Sequence, residues 1–302
     1  MFLPTLKQLR YLTALDEHKH FGRAALACHV SQSTLSAGLQ ELETLLGASL
    51  VERSNRSVVF TALGREIAAR ARVVLREAQE LAELAAAAKE PLSGAIKLGV
   101  IPTIGPFLLP KVLPKLRKAY PKLKLYLNED LTQRLVDELH AGTLDCVLLA
   151  LPVEVGESEE MVLFDDPFEL VCRKDDPLAA KTKLAAADLK DAPLLLLTDG
   201  HCLRDHALDA CHLAHRSTGS DVTATSLHTL VEMAAGGLGI TLIPEMALQA
   251  KLLKGSELVA RPFAGGKPGR RIGLIWRKTS AREKEFRLLG NTIKDAYLAA
   301  TT

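Results

Sequence analysis

Aromatic side chains make up only 4 % of the 302 residues, too few to build the stacking platforms that single-stranded nucleic acid needs. A strong charge of one sign is also missing. The 38 basic and 36 acidic residues leave a formal net charge of +2, which does not mark the whole chain as a binder of polyanions. No uncharged apolar run approaches the roughly 18 residues that span a bilayer. The opening Met1-Phe2-Leu3-Pro4 lacks the charged-then-apolar order of a secretory leader. The expected location is therefore cytoplasmic, with no membrane partner. Cysteine is sparse: five residues, an odd number, argue against a structural disulfide framework, and a pair that oxidises here would be a redox device rather than a staple. No metal and no cofactor are expected.

What is present is the balance of a globular protein, 48 % hydrophobic and 25 % charged, at a length that suits two or three domains. The first 90 residues read as mostly helical. At Pro91-Leu92-Ser93-Gly94 the texture changes from an alanine-rich run to the β-type run Ile96 to Ile101, which marks a boundary. Beyond it strands and helices alternate. Strands are expected at Leu123 to Leu127, Asp145 to Leu151, Phe168 to Arg173, Leu194 to Leu197 and Ile272 to Arg277. Helices are expected at Thr132 to Ala141, Leu227 to Ala235 and Ala281 to Ala299. This rhythm predicts an α/β class with a parallel or mixed sheet covered by helices on both faces.

Residues 1–76 hold ten basic and six acidic residues, a net of +4, so the basic excess lies at this end. Phe21 to Leu46 carries two short helices joined by a tight turn. Ser31 is a suitable N-cap for the second, in which Leu35, Leu39, Leu42 and Leu46 form one buried stripe. Gln32, Ser33, Thr34 and Ser36 then point outward at the helix N-terminal end, the part of a recognition helix that meets base edges in a major groove. Leu50-Val51-Glu52-Arg53 and Val58-Val59-Phe60 predict a hairpin whose basic tip, with Arg53 and Arg56, suits phosphate contact. Residues 1–61 thus read as a winged helix-turn-helix for double-stranded DNA. A bare three-helix packing domain would not explain the cap, the polar edge and the basic hairpin together. Thr61 can cap a long helix over 62–90, in which Leu63, Ile67, Ala71, Val74, Ala78, Leu81, Ala85 and Ala88 recur in steps of four and three, the seam of a dimer linker.

Near the other end of the chain, Gly200-His201-Cys202-Leu203-Arg204-Asp205 is followed by Cys211. Thr198 or Asp199 can cap a short helix that places Cys202 in its first turn. The helix N-terminus, His201 and Arg204 would all favour a thiolate. A thiolate is the species a peroxide oxidises to a sulfenic acid, which a second thiol converts to a disulfide. Nine residues of helix would separate the two Cα atoms by about 13 Å, whereas a disulfide needs them within roughly 7 Å. If the segment is helical when reduced, bridging must unwind it. Cys28, Cys146 and Cys172 sit in apolar settings and read as inert small hydrophobes.

Residues 1–90 resemble the DNA-binding domain and linker helix of LysR-type transcriptional regulators. The resemblance is carried by Phe21-Gly22-Arg23-Ala24-Ala25, Val30-Ser31-Gln32-Ser33-Thr34-Leu35-Ser36, Leu45-Leu46-Gly47 and Phe60-Thr61-Ala62-Leu63-Gly64. Gly38 stands where the family more often has a polar or basic residue. Residues 91–302, with Gly236-Gly237-Leu238-Gly239-Ile240-Thr241-Leu242-Ile243-Pro244, resemble the family's two-lobed, periplasmic-binding-protein-like effector domain. The Gly-His-Cys-Leu-Arg-Asp run with a Cys nine residues on, and Ala224-Thr225-Ser226-Leu227, are similar to the family's hydrogen-peroxide-sensing branch. That resemblance implies Cys202 as the peroxidatic residue and Cys211 as the resolving one. It also implies hydrogen bonds to hydrogen peroxide from Thr103, Thr132 and His201. Arg270 is implied as a thiolate-stabilising cation beside Arg204, although Arg271 could take its part. Thr103 and Thr132 could alternatively be mere helix caps. The partners implied are DNA, further copies of the chain as homodimer or tetramer, RNA polymerase, and a thiol reductant of thioredoxin or glutaredoxin type. The alternative is a regulator responding to a small organic acid, with the cysteine pair incidental. A thiol peroxidase enzyme would leave the DNA reader unexplained.

Overall fold

Local capping sets the first three helices. In the computed structural model, which describes residues 3–53, 58–87, 90–182, 184–189, 192–210, 223–264 and 268–300, α1 (Leu6–His18) starts from a reciprocal cap between Thr5 and Gln8. In α2 (Phe21–Ala27) the N-cap is His20, whose Nδ1 accepts from the amides of Gly22 and Arg23. α3 (Gln32–Leu46) begins where Ser31 Oγ accepts from the Thr34 amide at 3.1 Å and ends on Gly47 at φ +64°. Leu35, Leu39 and Leu42 are buried against Leu12, Leu15, Ala24 and Ala25. Leu46, the expected last member of that stripe, is 37 % exposed, because the final turn of α3 runs beyond the core. Gly38 is buried for a steric reason: a Cβ there would lie 2.8 Å from the Tyr11 ring, so glycine lets α1 and α3 touch.

The wing follows as β1 (Val51–Arg53) paired antiparallel with β2 (Val58–Phe60). Glu43 on α3 holds it in place by accepting from the amides of Leu50 and Val51 at 2.7 and 3.1 Å. Thr61 caps α4 (Ala62–Ala87) through the Gly64 amide. The expected dimer seam divides here. Ala68 is buried in the unit's own core and Ala71 is buried too, whereas Leu63, Val74 and Leu81 are exposed on the flank of α4. Ala88 lies outside the described residues. The chain separates into compact units at Ala85/Ala86, within α4.

The second unit is built on a mixed sheet. Its elements in order are β3 (Ala95–Val100), α5 (Gly105–Ala119), β4 (Lys124–Glu129), α6 (Thr132–Ala141), β5 (Cys146–Leu151), β6 (Ser158–Arg173), β7 (Leu194–Leu197), α7 (Cys202–Ala210), β8 (Thr223–Ala224), α8 (Leu227–Ala235), β9 (Ile240–Pro244), α9 (Glu245–Gln249), β10 (Leu258–Arg261), β11 (Gly269–Arg277) and α10 (Glu283–Leu298). Among the described residues the sheet runs β4-β3-β5-β11-β6-β9-β7-β8, with β10 also paired to β6. β3, β4 and β5 are parallel, while β11 runs antiparallel between β5 and β6. β5, β7 and β9 are buried along their whole length, as strands covered on both faces must be.

β6 joins two lobes. Its first part, to Pro167, pairs with β11; from Phe168 onward it pairs with β9 and β10. Only this second part was expected as a strand. The first part sets the short apolar run Met161 to Phe164 between paired acidic residues and carries Pro167, which disguises it. The helix α5 was likewise unmarked, because Pro110 and Pro114 interrupt its pattern. No helix among the described residues is long and apolar enough to cross a membrane.

Candidate thiol site and nucleic-acid interface

Cys202 is the first residue of α7, where the unpaired amides of a helix start favour negative charge. It is partly exposed and lines a pocket with Gly200 and His201 from its own lobe. The opposite wall is Ile101, Pro102 and Thr103, which follow β3, together with Leu131 and Thr132 at the start of α6. The sheet thus delivers three sequence-distant segments to one place, with both threonines and His201 lining the same pocket as the thiol.

Each polar group has a distinct state. Thr103 is buried, and its Oγ1 accepts from Arg270 Nη1 at 2.7 Å while its carbonyl accepts from Nη2 at 2.9 Å. Its hydroxyl proton is therefore available to the pocket. Thr132 does not cap α6: the N-cap is Leu131, with no side-chain cap, and the buried Thr132 Oγ1 has no protein hydrogen-bond partner. His201 is buried, and burial lowers its pKa, so the ring is held neutral. The expectation that His201 adds positive charge is thus corrected; it supplies a neutral donor or acceptor.

Of the two candidate arginines, β11 turns Arg270 inward and Arg271 outward. Consecutive strand residues face opposite sides, and Arg270 is 2 % exposed while Arg271 faces solvent. Arg270 also pairs with the fully buried Asp166 on β6, donating from Nε at 3.0 Å, and Asp166 in turn accepts from the Met246 amide at 2.9 Å. Arg204 is directed elsewhere. Its guanidinium pairs with Asp199 at 3.2 Å and donates to the Leu197 carbonyl at 3.3 Å, and the cation that acts on the thiol is Arg270.

Burial works to raise the Cys202 pKa, but His206 and Thr132 beside the sulfur, with the charges of Arg270 and His206, outweigh it. The thiol ionises below its ordinary value. His206 is the functional residue missing from the sequence reading. Its signal was present: four residues after Cys202 on one helix places it on the same face. Asp166 gave no such signal, since only the register of β6 against β11 brings it to Arg270. Cys211 lies outside the described residues. Among those described, no group of His, Cys, Asp and Glu is placed to hold a metal ion.

In the first unit, Gln32, Ser33 and Thr34 are exposed at the start of α3 and Ser36 is half-buried. The Ser33 and Thr34 hydroxyls lie 2.9 and 2.8 Å from the capping Ser31 Oγ, so both are engaged at the helix cap. Arg53 ends β1, and Arg56 lies outside the described residues.

Residues 6–65 match the bacterial regulatory helix-turn-helix family of LysR type, and residues 89–297 match the LysR substrate binding domain. The chain belongs to the LysR family. LysR proteins are DNA-binding transcriptional regulators, so this chain is a regulator and not an enzyme, with the two-part fold expected from its sequence. It is 43 % identical over 289 residues to the DNA-binding transcriptional dual regulator OxyR of Escherichia coli, covering 96 % of this chain and 94 % of that one. Among solved structures it is similar to full-length OxyR of Pseudomonas aeruginosa with a cysteine-to-aspartate substitution. There the TM-score is 0.79 at 37 % identity, over 97 % of this chain and 96 % of that one. A hydrogen-peroxide-bound OxyR of Corynebacterium glutamicum, carrying a cysteine-to-serine substitution, matches with a TM-score of 0.69 at 36 % identity, over 99 % and 94 % of the two chains. Within the LysR family the likeness is to the OxyR branch.

Proposed function

We propose that this LysR regulator senses hydrogen peroxide through Cys202 and converts the oxidation into a change in how it holds DNA. One observation carries the reading: a thiol at a helix start, ionising below its ordinary value, sits between Thr103, Thr132 and His201 and within the field of Arg270. The thiolate attacks one peroxide oxygen, the O–O bond breaks, and Cys202 becomes a sulfenic acid. Donors placed around the sulfur orient the peroxide and stabilise the departing hydroxide. The Cys211 thiol then attacks the sulfenic sulfur, releasing water and closing a disulfide.

That last step demands a rearrangement. α7 is helical from Cys202 to Ala210, which sets those Cα atoms about 12 Å apart at ~1.5 Å per residue. One further residue reaches back at most ~3.8 Å, so the Cα of Cys211 stays at least ~8 Å from that of Cys202 while α7 is intact. This exceeds the roughly 7 Å limit of a disulfide. The bridged state and the helix exclude one another, and the pair acts as a two-state switch on the effector lobes. In this reading the exposed flank of α4 serves a homodimer, two dimers form a tetramer, and oxidation alters its geometry on DNA and its engagement of RNA polymerase. A thioredoxin- or glutaredoxin-type reductant resets it.

The test is titration of the purified protein with sub-stoichiometric hydrogen peroxide, counting thiols. Loss of two thiols that requires both Cys202 and Cys211 supports the proposal; loss of none, or loss at other cysteines, overturns it. On the DNA side, Gln32→Ala should alter preference at one base pair by about 1–3 kcal/mol. Arg53→Ala or Arg56→Ala should instead weaken all sequences alike and lower the salt slope by about one.

A further inference from the structure

His206 is 9 % exposed, and its Nε2 lies 2.9 Å from the Pro152 carbonyl just beyond β5. A carbonyl only accepts, so Nε2 carries the ring proton, and Nδ1 is the basic nitrogen of the neutral ring. That Nδ1 is buried and has no protein hydrogen-bond partner, a costly arrangement unless something else uses it. The ring lies against the Cys202 thiol, one helical turn earlier on α7, close enough for each group to act on the other's ionisation. Burial opposes charge on the ring, yet contact with Cys202 and Pro152 raises its pKa above the ordinary histidine value. The charged groups that act on it are Cys202 from its own helix and Arg270 from β11, the latter matched by Asp166.

We propose that His206 is a catalytic acid–base residue for the oxidation of Cys202, an inference that rests on the peroxide reading above. Nδ1 takes the proton from Sγ, giving a thiolate beside an imidazolium. The thiolate attacks one oxygen of the peroxide, and the sulfur is oxidised to sulfenic acid as the O–O bond breaks. The other oxygen leaves as hydroxide and takes the proton back from Nδ1, forming water and restoring the neutral ring. The sum is thiol plus hydrogen peroxide giving sulfenic acid plus water, with no further reactant. Thr103 and Thr132 orient the peroxide in this scheme, and Arg270 holds the thiolate.

The experiment uses the full chain with Cys211→Ser, so that oxidation stops at the sulfenic acid. Cys28, Cys146 and Cys172 are buried with raised pKa values and stay protonated near neutral pH. Thiolate absorbance against pH and the rate of sulfenic acid formation are measured with His206 and with His206→Gln. Glutamine keeps a donor for the Pro152 carbonyl but cannot hold the proton. The expected result is a thiol titration displaced toward the ordinary cysteine value and a rate about tenfold lower or more at neutral pH. A glutamine variant equal to its parent in both readouts overturns the inference. Should that variant fail to fold, the parent's own pH profile decides. A rate nearly flat across neutral pH supports the proton exchange, and a rate rising tenfold per pH unit toward the ordinary thiol range overturns it. A parent that does not react with peroxide at all overturns the peroxide reading itself, which separates the two failures.

Discussion

Cys146 and Cys202 belong to the same unit and both are penalised by burial, yet their thiols shift in opposite directions. Cys146, on β5, is fully buried; burial and the neighbouring Asp145 charge push it well above the ordinary value, although Arg282 and Arg277 both pull the other way. Cys202 has Arg270, itself paired with Asp166, and His206 near it, and ionises below the ordinary value. Counting nearby cations would therefore not separate the two thiols. Arg277 donates to the carbonyls of Leu139 and Leu144 and Arg282 pairs with Glu285, so both guanidiniums are tied into the fold. Cys202 differs in facing polar atoms that nothing else uses, Thr132 Oγ1 and His206 Nδ1, at the open end of a helix. Reactivity here follows uncommitted hydrogen bonds more than proximity of charge.

The largest effect that can break this contrast is Cys202→Ser. It should abolish peroxide-dependent thiol loss altogether, measured by mass spectrometry after limiting peroxide, and leave Cys146 unmodified. Appearance of oxidised Cys146 in that variant would show that neither burial nor its surroundings protect it, and that Cys202 had only been consuming the peroxide first. Next comes Arg270→Met. Arg270 and Asp166 are both fully buried side chains, and removing one partner strands the other's charge, so unfolding by denaturant should show a loss of about 3–5 kcal/mol. Adding Asp166→Leu should recover part of that stability, since no buried charge is then left unpaired, although the Met246 amide loses its acceptor at about 1–3 kcal/mol. The thiol should stay poorly ionised in the double variant. Recovery of thiol reactivity together with stability would assign Arg270 a purely structural role.

Much of this site is legible in the amino-acid sequence. The run around Cys202, the threonines after β3 and before α6, and an arginine in β11 were all legible, because each sits in a short stretch whose type its own residues declare. Thr132–Ala141, Leu194–Leu197 and Leu227–Ala235 match the expected elements at both ends. What was not legible depends on register. Asp166 looks like one acidic residue among several in a charged segment, and only pairing with Arg270 across β6 and β11 gives it a role. The spacing of Ala71 suits a dimer seam equally well, and its burial, like that of Ala68, is a matter of packing. The misassigned Arg204 illustrates the same limit: adjacency in sequence placed it near the thiol, but its guanidinium is drawn to Asp199 and the Leu197 carbonyl.

Smaller changes sharpen the comparison. Thr132→Val removes a hydroxyl whose one use is toward the ionised Cys202 thiol, so stability should hardly move, whereas the thiol should ionise less readily and oxidise about fivefold more slowly, the scale of one hydrogen bond. Equal loss of stability and rate would instead make Thr132 a packing residue. The smallest effect is expected at the other thiol. Cys146→Val exchanges one small apolar side chain for another on a strand buried along its whole length, and should cost under about 1.5 kcal/mol. With its pKa held well above the ordinary value by burial, Cys146 should contribute nothing to peroxide consumption, and the variant's rate constant should equal that of the parent. A measurable drop in that rate would mean that β5 transmits packing changes to Cys202 through the Pro152 carbonyl that receives His206, and the two thiols would then have to be treated as one coupled system.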